Sequence, residues 1–178
     1  MIHGLAELPT EGLSLDLSHL FTLKGVRLRL YATGHSQTDE SWHLPFASKS
    51  HSRGLTVVLQ SNHPCGVDLE SLDSEIEPWL FADQRFQDFV LAPGEAQAIK
   101  ASKYAEHGFL ATVVWSSKEA LAKALGDARK YSPSRLRSPI SWESEPVQNW
   151  EAEFIEIEFA DHSRFCIWVV LRAEMANN

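Results

Sequence analysis

The chain has 178 residues, of which 44% are hydrophobic and 22% are charged, a balance typical of a folded globular protein. Its 24 acidic and 16 basic side chains give a net charge of −8. This charge argues against a general nucleic-acid binder, because such proteins neutralise phosphates with basic groups. No apolar run approaches the roughly 20 residues of a membrane-spanning helix, and the first residues lack the pattern of a secretory signal. Two cysteines are too few for a disulfide framework. We therefore expect a reduced, cytoplasmic protein that binds neither nucleic acid nor membrane.

The first third of the chain predicts strands. Val26 to Tyr31 alternates apolar side chains with arginine, as a half-buried strand does. Thr33 to Ser50 is rich in serine and contains glycine and proline, which predicts a loop. Gly54 to Gln60 and Cys65 to Leu69 are apolar runs separated by a turn at 61–64, and together they predict a hairpin.

Three helices are predicted to follow. Glu77 to Val90 places aromatic and aliphatic side chains at helical spacing, and a second helix begins at Pro93 and runs to about Tyr104. The third covers Ser116 to Leu125, with Ser116 as its N-cap and Gly126 at its end.

The last part of the chain returns to strands. Residues 127–150 hold three prolines and predict a long loop. Phe154 to Phe159 and Phe165 to Leu171 predict two antiparallel strands joined by a turn at 161–163. Strands, then helices, then strands favour an α+β fold in which antiparallel strands pack with about three helices.

The segment Gly66-Val67-Asp68-Leu69-Glu70 is the first candidate site. Residues two apart on a strand share a face, so Asp68 and Glu70 present paired carboxylates. Hard oxygen ligands of this kind suit Mg²⁺, which water and phosphate oxygens usually complete. The alternative is a solvated strand face that carries two ordinary acids.

The segment from Trp115 to Lys123, WSSKEALAK, is the second candidate. Glu119 and Lys123 are spaced i, i+4 on one helix face, where they could meet the strand carboxylates across a cleft. The alternative is a surface salt bridge of little energy. We expect Trp115 to precede this helix and pack beneath it as a structural residue.

The segment Ser50-His51-Ser52-Arg53 is the third candidate. A histidine flanked by hydroxyls at the entrance of a strand could donate hydrogen bonds to a phosphate. The alternative is a turn with a capping serine.

Taken in order, the blocks S-H-S, G-V-D-L-E and W-S-S-K-E-A-L-A-K resemble the 4′-phosphopantetheinyl transferase superfamily over about residues 45–172. The 17 positions from His51 to Asp68 and the 51 from Asp68 to Glu119 resemble the larger, monomeric, surfactin-type branch. Ser48 and Lys49 stand where that branch usually has asparagine and an apolar residue. Only 50 residues precede His51, so the resemblance is to a member with a shortened N-terminal part. We expect a single domain over 1–178, or two pseudo-symmetric halves at about 1–62 and 63–178.

The resemblance implies an enzyme that moves the phosphopantetheine arm of coenzyme A to a serine of an apo acyl or peptidyl carrier protein, with release of 3′,5′-ADP. The alternative is a non-catalytic relative that binds coenzyme A or a carrier protein. By the same resemblance, an Mg²⁺ ion is bound by Asp68, Glu70 and Glu119, and Glu119, directly or through a metal-bound water, is the candidate base. The resemblance further implies that Lys123 and Lys118 neutralise phosphate oxygens of coenzyme A and that Ser50 and His51 contact its nucleotide 3′-phosphate.

Lys49 and Arg53 are further candidates for the coenzyme A site. The chain is acidic, so an anionic ligand needs local basic groups to offset the repulsion as it approaches. Both residues flank His51 directly, and we expect them to supply part of the phosphate binding. The alternative is that they are solvated surface charges.

Overall fold

The computed structural model describes residues 2–5, 12–32, 44–74, 83–126, 131–139 and 149–172. These residues form an α+β fold, as predicted, with antiparallel strands and three α-helices. The strands are β1 (Ile2–Leu5), β2 (Leu13–Asp16), β3 (Val26–Ala32), β4 (Phe46–Ser52), β5 (Leu55–Ser61), β6 (Cys65–Ser71), β7 (Trp150–Phe159) and β8 (Arg164–Arg172). The helices are α1 (Gln84–Val90), α2 (Glu95–Lys100) and α3 (His107–Ala124), and short 3₁₀ turns lie at Leu72–Ser74, Tyr104–Glu106 and Pro133–Arg135.

The strands form two four-stranded sheets. One has the order β1-β7-β8-β6, in which β1 runs parallel to β7 and the other pairs are antiparallel. The other has the order β2-β3-β5-β4 and is antiparallel throughout. Strands β4 and β6 are therefore edge strands of different sheets. The second sheet comes entirely from residues 13–61. Strand β1 also lies in the predicted N-terminal half, 1–62, but it joins the first sheet. The division into two halves stays a prediction.

Apolar side chains of both sheets meet in one core. Leu28, Val57 and Leu59 from the second sheet pack in the same cluster as Val67 and Ile167 from the first. The outer face of the first sheet is covered by α3. Within the described residues, no helix is long and apolar enough to cross a membrane.

The predicted hairpin of Gly54–Gln60 with Cys65–Leu69 is wrong. Strand β5 pairs with β3 and β4, whereas β6 pairs with β8 in the other sheet. The hairpin turn lies instead at Arg53 and Gly54, between β4 and β5. Both residues have positive φ, 41° and 81°, which suits the two-residue turns that match the twist of antiparallel strands.

The predicted loop at Thr33–Ser50 is wrong over its last part. Residues 46–50 belong to β4, and residues 33–43 lie outside the described residues. Serine by itself is a poor indicator of a strand. The serines of β4 make hydrogen bonds to β6, and a local sequence pattern does not reveal such contacts.

The predicted helices have shifted boundaries. Helix α1 begins after the N-cap Asp83, and residues 77–82 of the predicted helix lie outside the described residues. Helix α2 is shorter than the predicted 93–104 segment. Helix α3 begins at His107, so Ser116 is an interior residue and not the N-cap, and Trp115 lies within the helix rather than before it. Its predicted end is confirmed, because Gly126 adopts φ 79° just after the cap.

Two predictions of strands are confirmed. Strand β3 has the expected alternating burial. Strands β7 and β8 pair antiparallel around the predicted turn at 161–163, with Ile157 opposite Phe165. The predicted loop at 127–150 is described only at 131–139 and 149–150, where it contains a 3₁₀ turn and the start of β7.

Candidate active site

Asp68 lies at the centre of the candidate site, on β6, and is only 4% exposed. Its Oδ1 accepts hydrogen bonds from Lys123 Nζ at 2.7 Å and from Ser50 Oγ at 2.8 Å. Its Oδ2 accepts one from Ser116 Oγ at 2.8 Å. A buried carboxylate is tolerated when it is paired and hydrogen-bonded. Asp68 meets both conditions, because β4 brings one donor to it and α3 brings two.

A row of serines on β4 joins the two sheets. Ser48, Ser50 and Ser52 alternate along β4 and therefore share a face, and that face lies against β6. Ser48 Oγ accepts a hydrogen bond from the Val67 N–H at 3.0 Å, and Ser52 Oγ accepts one from the Ser71 N–H at 3.3 Å. The serine hydroxyls thus hydrogen-bond to the backbone of β6 along the edge where no other described strand pairs with it. Ser48 therefore has a structural role in this contact.

Helix α3 reaches β6 because of Gly66. A Cβ atom at this position would lie 1.9 Å from the carbonyl oxygen of Ala120 and 2.6 Å from the amide nitrogen of Ala124. Only a glycine allows backbones to approach so closely. The close approach brings Ser116 and Lys123, seven residues apart and so on one helix face, to the carboxylate of Asp68.

Glu119 and Glu70 add two carboxylates to this region. Glu119 lies on the same face of α3, three residues after Ser116, and its Oε1 accepts a hydrogen bond from the hydroxyl of Tyr131. Burial, together with the negative charges of Asp68 and Glu119, raises the pKa of Glu70 to about 7, although Ser52 and Lys123 oppose the shift. The charges of Asp68 and Glu119 therefore disfavour ionisation of Glu70. Among the described residues, Lys123 supplies the one ammonium group that offsets this repulsion.

Lys118 has a different role from the predicted one. It is fully buried, and Nζ donates to Glu95 Oε2 at 2.5 Å, to the Val90 carbonyl at 2.7 Å and to the Pro133 carbonyl at 3.1 Å. An ammonium group has three donors, so these acceptors use all of them. The predicted contact of Lys118 with a phosphate of coenzyme A is therefore incompatible with this arrangement.

The sequence prediction missed three residues of this region. It did not identify Tyr131 or Glu95, and it did not give Ser116 a role as a hydrogen-bond donor to Asp68. Ser116 has the sequence context of an N-cap, and this signal is misleading because the helix begins nine residues earlier. Glu95 lies 23 positions from Lys118 and Tyr131 lies 12 from Glu119, and neither spacing is a local signature.

A family model of the 4′-phosphopantetheinyl transferase superfamily matches residues 64–176. The chain belongs to this superfamily. The matched range includes Asp68, Glu70, Glu119 and Lys123, and membership supports phosphopantetheine transfer as its general chemistry. A search of curated proteins gave no match.

The donor set of this phosphopantetheinyl transferase fits Mg²⁺ in charge and ligand type. Asp68, Glu70 and Glu119 supply carboxylate oxygens, which are the ligands that Mg²⁺ prefers. The pKa of Glu70 is raised first by burial and then by the charges of Asp68 and Glu119, and a hard cation would offset the repulsion between these charges. In position the fit is incomplete. Among the described residues, no three histidine, cysteine or acidic side chains are grouped closely enough to hold one ion. Asp68 is bonded to Lys123 and the serines, and Glu119 to Tyr131.

The transferase also separates Ser50 from His51. Adjacent residues on a strand point to opposite faces, so Ser50 faces Asp68 while His51 is exposed on the outer face of the second sheet. The predicted shared contact with one phosphate does not fit this separation. Lys49 lies on the outer face with His51, and the register across β5 places Arg29 on the same face. Arg53 is exposed in the adjoining turn.

Proposed function

We propose that the chain transfers the 4′-phosphopantetheine arm of coenzyme A to a serine of an apo acyl or peptidyl carrier protein in an Mg²⁺-dependent reaction. The observation that carries this proposal is the convergence of β6 and α3 on Asp68, which pairs directly with Lys123. The residues that converge lie within the range matched by the superfamily model.

In the proposed reaction the carrier serine oxygen attacks the phosphorus that bears the pantetheine arm. A P–O bond forms, the P–O bond to the nucleotide half breaks, and 3′,5′-ADP leaves with the electron pair. Glu119 is the proposed acceptor of the serine proton, since it is a carboxylate on the helix face that borders Asp68. Lys123 is the proposed cation for a phosphate oxygen, because its side chain is 21% exposed next to Asp68.

Asp68, Glu70 and Glu119 are the residues proposed to hold Mg²⁺. When bound, the ion would neutralise negative charge on the pyrophosphate and on the leaving group. Without it, the three carboxylates would repel the anionic substrate, since Lys123 is the only cation that bonds to Asp68 among the described residues.

We further propose that the nucleotide half of coenzyme A lies near the outer face of the second sheet. Support comes from Lys49 and His51, which are exposed on that face, and from Arg53 in the adjoining turn. These residues precede the range matched by the superfamily model. The basis for proposing the larger branch is the Ser50-His51-Ser52 block, which lies 17 positions upstream of Asp68 when counted from His51. A Lys49→Gln, Arg53→Gln variant is expected to raise the KM for coenzyme A more than it lowers kcat.

A non-catalytic relative that binds coenzyme A or a carrier protein is the second candidate. Two observations favour it. The carboxylate of Asp68 already accepts hydrogen bonds from three side chains. The described carboxylates are not grouped closely enough to hold one ion.

Mass spectrometry of an apo-carrier protein after incubation with the enzyme, coenzyme A and Mg²⁺ distinguishes the two candidates. Transfer adds about 340 Da to a serine, as a covalent modification. Asp68→Asn and Glu119→Gln variants should abolish the addition, and Glu106→Gln, an exposed residue at the start of α3, is the matched control. Binding of coenzyme A to the wild type without any mass gain, across several apo-carriers, would contradict transfer and support the second candidate.

A further inference from the structure

A surface cavity of about 720 Å³ lies between the connection of α1 to α2 and the segment that follows α3. This volume falls in the usual range of ligand-binding clefts, about 300–1,000 Å³. Its described lining combines the apolar side chains of Ala92, Pro93 and Ala98 with Arg135 and Arg137. Both arginines are exposed. The cavity therefore offers apolar surface next to two positive charges, which we call the arginine pair.

Glu95 is the only carboxylate among the described lining residues, and its charge is offset inside the protein. Its Oε2 accepts hydrogen bonds from the buried Lys118 Nζ at 2.5 Å and from the Ala92 N–H at 2.7 Å. Its Oε1 accepts one from the Ser138 N–H at 2.9 Å. Because Lys118 offsets the negative charge, the arginine pair sets the charge that the cavity presents to a ligand.

The backbone that carries the arginine pair is held by buried contacts. The Pro133 carbonyl accepts hydrogen bonds from Lys118 Nζ and from the Leu136 N–H, both at 3.1 Å. The Ser138 and Ser117 hydroxyls lie 2.7 Å apart, and both residues are buried. Side chains on a fixed backbone lose less conformational freedom on binding than side chains on a loose loop. The arginine pair is therefore preorganised for a partner.

The same segment links the cavity to the candidate active site. Tyr131 donates a hydrogen bond to Glu119, and Arg135 follows four residues later. Four residues span at most about 14 Å. A standard protein interface covers about 800 Å² of each partner, a patch roughly 30 Å across. A protein whose serine reaches Glu119 is therefore large enough to cover the cavity as well.

We propose that the cavity and its arginine pair dock an acidic segment of the acceptor protein, close to the serine that receives the phosphopantetheine arm. The inference rests on the proposed function, because that function supplies a protein acceptor. Arginine binds carboxylates through two parallel N–H donors and is enriched at protein interfaces. The apolar lining accepts an aliphatic side chain of the same segment. Since the chain carries a net charge of −8, an acidic partner is repelled elsewhere, and the arginine pair also selects its orientation.

The test is the Arg135→Gln, Arg137→Gln double variant, assayed with an apo acyl carrier protein that has acidic residues beside its serine. We expect the KM for the carrier to rise about tenfold and to depend less on salt, because charge pairs at an interface rim are screened by ions. The kcat and the KM for coenzyme A should stay within about twofold. The matched control, Lys100→Gln with Lys103→Gln, removes the same charge from exposed residues that do not line the cavity.

A carrier variant with amides in place of those acidic residues sharpens the test. The arginine substitutions should no longer change its KM, since the charge pairs are already broken. Fluorescence anisotropy of the labelled apo-carrier gives the Kd for each protein, a readout that needs no turnover. We expect the Kd to rise about tenfold in the arginine variant and to stay unchanged in the lysine control.

The outcomes separate this inference from the proposed function. If the wild type transfers, an unchanged carrier KM in the arginine variant overturns the docking surface and leaves the function intact. If the wild type does not transfer, the proposed function fails and the anisotropy decides. An equal Kd for all three proteins, or no binding by any of them, then overturns the inference. Equal losses in the arginine and lysine variants assign the effect to overall charge, which overturns it too. Thermal stabilisation by inorganic phosphate that only the arginine variant loses, with an unchanged carrier KM, assigns the cavity to a small anion instead.

Discussion

Helix α3 carries two lysine–carboxylate pairs on different faces, and they differ in how completely they are satisfied. Lys118 lies 2.5 Å from Glu95 and is 0% exposed, and its three donors meet three acceptors. Lys123 lies 2.7 Å from Asp68 and is 21% exposed, and its ammonium group has two acceptors among the described residues. We call them the inner pair and the site pair.

The difference shows how one helix supports both stability and chemistry. In the inner pair, charge and hydrogen bonds balance within the protein, so nothing is left to bind a ligand and the pair fixes the surrounding backbone. In the site pair the lysine is reachable, and the nearby carboxylates of Glu70 and Glu119 leave a surplus of negative charge. Ionisable groups with excess negative charge and unsatisfied hydrogen-bond donors are typical of functional sites.

Loss of the inner pair should have the largest effect on stability. Lys118→Met removes the ammonium group, so the Glu95 carboxylate, 12% exposed, loses its only lysine partner among the described residues and the carbonyls of Val90 and Pro133 lose their donor. Breaking one side of a buried pair typically costs about 3–5 kcal/mol. The free energy of unfolding from urea denaturation measures this loss. The double variant Lys118→Met, Glu95→Gln should recover part of it, because the orphaned charge is gone. A single variant as stable as the wild type would mean that the inner pair does not support the fold.

Substitution of Gly66 should affect the site pair more directly. In Gly66→Ala the new methyl group meets the backbone of α3 at Ala120 and Ala124, which has no side chain to move aside. The helix must shift from β6, at a cost of about 3 kcal/mol by analogy with overpacked cores. Lys123 then moves from Asp68, so transfer should be lost even where the variant remains folded. Gly54→Ala is the control, because its Cβ has open space and only the positive φ adds strain. Equal losses of stability in the two variants would contradict the close approach.

Removal of the site lysine should separate activity from stability. In Lys123→Met, the buried carboxylate of Asp68 loses its cation but keeps its hydrogen bonds from Ser50 and Ser116. The free energy of unfolding should therefore fall by about 2 kcal/mol, less than in Lys118→Met. The kcat for transfer should fall about 100-fold, as for removal of one charge-stabilising group from other enzymes. Exposed Lys100 provides the control variant Lys100→Met. A Lys123→Met enzyme with the wild-type kcat would show that the site pair is as structural as the inner pair.

Sequence patterns predict the parts of the fold whose determinants are local. Strand β3 follows from its alternation, and the β7–β8 hairpin follows from two apolar runs around a three-residue turn. Strand β4 is missed because its serines are explained only by the backbone of β6. The start of α3 is missed because Ser116 resembles an N-cap, although its hydroxyl bonds to Asp68 instead.

The same distinction applies to the candidate site. Asp68 and Lys123, which lie in two separate motifs, are in direct contact. The sequence predicted only that the helix face of Lys123 could meet the strand carboxylates across a cleft. Lys118, in the same motif as Lys123, could not be told apart from it by sequence, since the face that each lysine occupies depends on what packs against α3. Tyr131 and Glu95 come from segments with no motif, and only the tertiary fold brings them to the helix.

The smallest effect is expected from a third lysine–glutamate pair, Lys103 with Glu106. Its atoms are 4.0 Å apart, and the side chains are 87% and 50% exposed. Water screens such a pair and the two side chains lose rotamer freedom to form it, so Lys103→Gln should change the free energy of unfolding by less than about 0.5 kcal/mol. Raising the salt concentration should leave the difference between wild type and variant unchanged within error. A loss comparable to that of Lys118→Met would show that burial and saturated hydrogen bonding do not distinguish the inner pair. We expect the loss in free energy of unfolding to be near zero at Lys103, intermediate at Lys123 and largest at Lys118. This order would follow how completely protein acceptors replace water around each ammonium group.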